Sequence, residues 1–260
     1  MRLFIIILSA IGLAAGCGGG GGGSNFQPSE DQSASGFWDG TVDFSTGESL
    51  GISGVIAENN EAIFVLEDDQ MLWGVASVTN RNQLAVDFTW TVPPLTETPD
   101  GAIDGTGTLL CTIMERVSME CTFTSTSSAG EPFEGVASVA YDDLYERDSS
   151  IAAIAGNWID SETGEELLSI DGAGRIFSQD PISGCILSGT VRPIDTAYNA
   201  YDVVLTIDGC NVDFAELNGV RFDGLAALVD DLQPEDTLIM ALHTQIMGFA
   251  VGLPAEYRRQ

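Results

Sequence analysis

Short segments of alternating apolar and polar residues, broken every few positions by Gly, Asp-Gly or Asn-Gly, constrain this chain more than any other feature. In Leu84-Ala85-Val86-Asp87-Phe88-Thr89-Trp90-Thr91-Val92, the residues Leu84, Val86, Phe88, Trp90 and Val92 share one face, and Ala85, Asp87, Thr89 and Thr91 take the other. Successive side chains of a strand point to opposite faces, so this pattern predicts a half-buried antiparallel strand. Similar segments fall at 38–44, 50–57, 62–67, 72–78, 106–113, 117–124 and 133–141. The second half repeats the scheme at 157–160, 166–171, 175–178, 185–191, 200–207, 212–217, 224–229, 237–243 and 248–253, with predicted turns at Asp171-Gly172, Asp208-Gly209, Asn218-Gly219 and Asp223-Gly224. The connections leave no room for crossover helices. The expected class is therefore all-β: two consecutive antiparallel meanders, each closed into a barrel, with a sandwich as the main rival. Between the halves, Asp148 or Ser149 can cap a short helix ending at Gly156, which places the boundary near residue 147 and gives domains at 36–147 and 148–260.

Charge narrows the function. The 260 residues carry 39 acidic side chains against 9 arginines and no lysine, a formal net charge of −30. Phosphate neutralisation requires clustered Lys and Arg, so nucleic acid is excluded as a partner, as is docking on anionic lipid by charge. With 44% hydrophobic and 18% charged residues, there is ample apolar side chain for packed cores, and an acidic exterior would serve solubility.

Residues 1–16 have the layout of a secretory signal: Arg2, an apolar run, then small residues. Ala14-Ala15-Gly16-Cys17 resembles the bacterial lipobox, although the usual Leu stands one place early, at Leu13. That resemblance implies lipidation of Cys17, with diacylglyceryl on its thiol. Gly18, directly after it, resembles the pattern of lipoproteins sorted to the outer membrane. Residues 17–35, opening with Gly18 to Gly23, read as a flexible tether, because consecutive glycines lose too much backbone entropy to order themselves. Several acyl chains would hold the protein at the membrane without a transmembrane helix.

Cysteine parity fits export. Removing Cys17 from the five cysteines leaves four. Cys111 and Cys121 lie on the apolar side of two alternating segments around Met114-Glu115-Arg116, so a hairpin would set them opposite each other at a distance a disulfide closes. Cys185 and Cys210 then form the second pair, stapling a longer loop. The metal alternative lacks its ligand spacing, since there is no CxxC and His243 is the single histidine.

The triplets Gly36-Phe37-Trp38 and Gly156-Asn157-Trp158 each open one half. A G-x-W on the first strand of an eight-strand meander resembles the lipocalin and wider calycin pattern, which implies that Trp38 and Trp158 plug the closed ends of barrels. The sequence departs from that pattern in having no clear T-D-Y segment. The second half, from Ser149 through Ile170-Asp171-Gly172, Gly184-Cys185, Tyr201 and Cys210, also looks like uncharacterised bacterial lipoproteins with a repeated small β-barrel, a resemblance that implies no activity.

Catalytic motifs are missing from the sequence: no G-x-S-x-G, H-E-x-x-H, phosphate-binding loop or dinucleotide fingerprint occurs. His243 alone reads as structural or exposed, because a catalytic base needs a nucleophile and an orienting partner. Carboxylate pairs are too abundant for any one to stand out. The stretch 100–107 faintly resembles a calcium loop but has Cys111 where an EF-hand needs Glu, so a turn is the better account. Glu67-Asp68-Asp69 and Asp230-Asp231 also read as solvated turns. The expected protein is a membrane-anchored, non-enzymatic binding or interaction module at the outer membrane, without a cofactor and with a protein partner or small apolar ligand. The alternative is a carrier of a small apolar ligand inside one barrel, whose space Phe88 and Trp90 would equally well fill; a carboxylate-dependent hydrolase ranks last.

Overall fold

The computed structural model describes residues 31–93, 96–161, 163–164, 167–180, 183–230, 233 and 236–260. Among them are sixteen strands in two closed antiparallel meander barrels. The first comprises β1 (Gly36–Phe44), β2 (Ser49–Ile56), β3 (Glu61–Leu66), β4 (Met71–Asn80), β5 (Gln83–Thr91), β6 (Asp104–Met114), β7 (Ser118–Ser127) and β8 (Pro132–Asp142). The second comprises β9 (Gly156–Asp160), β10 (Leu167–Ile170), β11 (Arg175–Gln179), β12 (Ile186–Pro193), β13 (Tyr201–Asp208), β14 (Val220–Val229), β15 (Thr237–Ile246) and β16 (Phe249–Arg259). Each closes by pairing its last strand with its first, Asp142 opposite Phe37 and Tyr257 opposite Asp160. On β5, Leu84, Val86, Phe88 and Trp90 face inward and are buried while Asp87 is exposed, as the alternation predicts.

The same plug closes one end of both barrels. Trp38 and Trp158 are fully buried, and each indole Nε1 donates to the carbonyl four residues earlier, Ala34 and Ile154, at 3.0 Å. The residue paired with each on the last strand covers it: Tyr141 edge-on to Trp38, with ring centroids 5.4 Å apart, and the Arg259 guanidinium 4.4 Å from the Trp158 ring centre. This agrees with packing as the role of these two tryptophans. The chain is fixed to the closed end of the first barrel from Asp31 onward. Asp31 accepts from the Arg81 amide at 2.9 Å, and Gln32 accepts from the Glu115 amide at 3.1 Å.

Three local expectations are corrected. Segment 212–217 is not a strand but a 3-10 turn capped by Asn211; none of its residues is buried, so its apolar side chains have no sheet face to cover. Asp223-Gly224 lies within β14 rather than at a turn, because a Cβ at Gly224 would run into the Ala241 carbonyl of β15 and only glycine permits that approach. The helix between the barrels is a single turn, Ile151–Ile154, and its cap is Ser150 rather than Asp148 or Ser149. The Ser150 side chain accepts from the Ala153 amide at 3.2 Å, while Ser149 donates its hydroxyl to the Asp195 carbonyl.

A third apolar cluster joins the barrels along their outer walls. Phe37, Ala57, Ile63, Met71 and Tyr145 pack with Ala200, Leu225 and Ala227. Asn199, buried in this seam, donates to the Leu144 and Leu228 carbonyls at 3.3 and 2.6 Å and accepts from the Leu228 amide at 3.1 Å. Around it, Arg147 pairs with Asp230 at 2.8 Å, and the Tyr145 ring stacks on Tyr198 with centroids 5.1 Å apart. Burial and the neighbouring Glu58 carboxylate, which accepts from its hydroxyl, hold the Tyr145 phenol far above the usual range, so it stays neutral. Asn199→Leu would strand buried main-chain groups, at a cost of about 1–3 kcal/mol each. The expected result is a lower midpoint in equilibrium urea unfolding with an unchanged slope.

Candidate functional site

The first barrel is not filled. Inward-facing side chains leave a cavity of about 400 Å³, open at the end away from Trp38. Phe64, Leu72, Phe88, Trp90, Leu109, Met119 and Phe123 contribute apolar walls, and Thr46, Glu48, Gln70, Thr98 and Ser125 are its polar lining residues. Phe88 and Trp90 therefore line the space rather than occlude it. Trp90 is 7% exposed, and its Nε1–H has no hydrogen-bond partner. Its ring stands edge-on to Phe133 at a centroid distance of 6.0 Å. In the second barrel, Trp158, Leu168, Ile176, Leu205, Phe222, Leu238 and Met240 belong to one continuous buried cluster.

At the mouth, residues 96–103, which lead into β6, are latched to the rim. The Thr98 side chain donates to one oxygen of the Asp100 carboxylate, and the Ser127 hydroxyl at the end of β7 donates to the other at 2.5 Å. The Ala102 amide donates to Thr98 Oγ1 at 3.0 Å, and the Ala102 carbonyl accepts the Thr98 amide at 2.8 Å. Thr98 and Pro99 thereby become part of the cavity lining. Outside them lies a vestibule of about 410 Å³ bounded by Asp100, Glu131 and Glu134, which shares Phe44, Thr46, Pro99 and Phe133 with the cavity.

Both expected disulfides are present. Cys111 and Cys121 face each other across β6 and β7 with Cα atoms 4.0 Å apart, and Cys121 lines the cavity. Cys185 and Cys210 join the segment before β12 to the connection that follows β13, 3.9 Å apart at Cα. Cys17 lies outside the described residues, as do the signal segment and most of the tether. His243 is at the barrel seam and not part of the cavity lining, with Nε2 3.3 Å from Glu61 and its ring stacked on Trp73 at 5.0 Å. Of the loop that resembled a calcium site, Asp100 serves the latch and Asp104 accepts the Ala250 amide at 2.8 Å. Among the described residues, no group of three or more His, Cys, Asp or Glu side chains is arranged to hold a metal ion. Glu67-Asp68-Asp69 forms a turn, Asp230 bridges the seam, and Asp231 lies outside the described residues.

No family model matches the chain, and no curated protein matches it. Among solved structures, it is similar to a Bacteroides fragilis NCTC 9343 protein described as a "putative outer membrane protein", at 10% identity and a TM-score of 0.28, over 87% of this chain and 97% of that one. So remote a likeness leaves the reading of the site to this chain's own geometry.

The latch makes a pH-dependent prediction. Hydrogen bonds from Ser127 and Thr98 hold the Asp100 carboxyl below its ordinary value of 3.8. Its stabilising contribution is full above that value and is lost as pH falls through the lower folded one. Asp100→Asn, or acidification into that window, is expected to speed hydrogen exchange at the Ala102 amide; unchanged protection would show that the carboxylate does not hold the loop.

Proposed function

We propose that this protein is an exported, non-enzymatic lipoprotein, anchored at the outer membrane through Cys17, whose first barrel binds a small apolar ligand. The observation that carries the reading is the cavity itself: about 400 Å³, walled by apolar and aromatic side chains, with a few polar groups at its open end. That matches the dimensions and composition of small-molecule sites, which typically span ~300–1,000 Å³. The disulfides and the lipobox-like Ala14-Ala15-Gly16-Cys17 support export to an oxidising compartment. The point at which the tether joins the barrel also fits. Asp31 and Gln32 are bound at the closed-end turns, so the described chain begins at the end of the barrel opposite the mouth. Exposed large apolar side chains, such as Leu110, Val136, Phe177 and Met247, are spread over both barrels, so the cavity is the better-defined binding feature.

Two experiments test the two parts. Cys17→Ala should move the exported protein from the membrane to the soluble fraction, and unchanged membrane association would sink the anchor. N-phenylnaphthylamine, a neutral apolar fluorophore, should bind the purified protein with a blue-shifted emission. Leu109→Trp, which puts an indole into the cavity, should weaken that binding at least about tenfold, or ~1.4 kcal/mol, with the far-ultraviolet circular dichroism retained. Failure of the wild-type protein to bind would refute the carrier reading.

A further inference from the structure

We infer that the ligand of the first barrel is a cationic amphiphile, with an apolar body in the cavity and an ammonium-type head at its neck. This rests on the reading of the cavity as a binding site and adds the chemistry of the head group. The neck, where cavity and vestibule meet, carries the rings of Phe44 and Phe133, with Trp90 set against Phe133 just inside. Aromatic faces attract cations through the ring quadrupole, most strongly where water is displaced. Acidic residues border these rings: Glu48 belongs to the cavity lining and Glu131 to the vestibule, with Glu134 at the vestibule's edge on the exposed face of β8. No arginine lines either space.

Overall acidity does not account for this distribution. The first barrel domain has three basic residues, Arg81, Arg116 and Arg147. Arg81 and Arg116 stand in the turns after β4 and β6, at the closed end, and Arg147 pairs with Asp230 in the seam. The mouth turns contain Glu48, Glu67, Asp68, Asp69, Glu97, Asp100 and Glu131 with no cation among them. The closed end carries carboxylates as well, among them Glu58, Glu115 and Glu146, but shares them with Arg81 and Arg116, whereas the charged residues of the mouth turns are acidic alone. An entering cation is drawn toward the mouth, and an entering carboxylate would be left desolvated beside like charges.

The test compares decyltrimethylammonium, decanol and decanoate, matched in tail and differing in head charge, each titrated against the full exported chain by calorimetry. The cation is expected to bind tightest and decanoate weakest, with the cation about tenfold tighter than decanol at low salt and the gap narrowing as salt screens the rim. In the variant E48Q/E131Q/E134Q, the ratio of the cation's Kd to decanol's on the same protein should move toward one. Equal affinities independent of head charge and salt, or tighter binding of decanoate, would overturn the cationic head while leaving the carrier reading standing. Binding of none of the three would remove both.

Discussion

Both barrels depend on the pairing that joins the last strand to the first, β8 to β1 and β16 to β9. Closure removes the unpaired edges that an eight-strand sheet would otherwise present, and it divides every strand into an interior and an exterior face. All later features follow from that division. At the closed ends the interior is sealed by Trp38 and Trp158, whose identical bonds to the carbonyl four residues back fix the entering chain against the first strand. What the interior contains then depends on side-chain volume: each barrel holds a continuous buried cluster that includes its plug tryptophan, and in the first that cluster leaves a cavity beside it.

The exterior is not uniformly polar, because the barrels share a wall. Ile63 and Met71 on one side and Leu225 and Ala227 on the other are buried although they lie outside the barrel interiors. Strands covered on both faces lose their alternation, which explains the apolar runs Ala62-Ile63-Phe64-Val65-Leu66 and Leu225-Ala226-Ala227-Leu228-Val229. Asn199 is the polar centre of this seam, with its carbonyl and amide groups engaged by backbone from both sides. His243, the single histidine, belongs to the same contact through Glu61 and Trp73. Its position on β15 marks it as part of the wall that faces the first barrel.

The fold was largely legible in the sequence, and the site was legible only in part. Alternation located fourteen of the sixteen strands to within three residues at their ends, with β14 four residues late and β16 ending six residues early, and cysteine parity with face assignment paired Cys111 with Cys121. Segment 212–217 misled because Val212 and Phe214 alternate with acidic or small residues, yet Asn211 and Asn218 cap it as a turn. The runs at 62–66 and 225–229 were the available signal for the seam, since a continuous apolar stretch means burial on both sides. Nothing local announced that Phe88 and Trp90 would line a space, because whether large side chains fill a barrel depends on residues from several other strands meeting at the same height.

Sequence alone determined the periodicity, the number of halves, the disulfide partners and the acidic character, because each is a property of neighbouring residues or of simple counts. It also placed a G-x-W at the head of each half, where the strand begins. Tertiary structure alone decided that the first barrel is hollow, that Thr98, Asp100 and Ser127 latch its rim, and that the carboxylates of its mouth are separated from Arg81 and Arg116 by the length of the barrel. These are sums over side chains far apart in the chain, and they acquire values only once closure has fixed which residues face the same space.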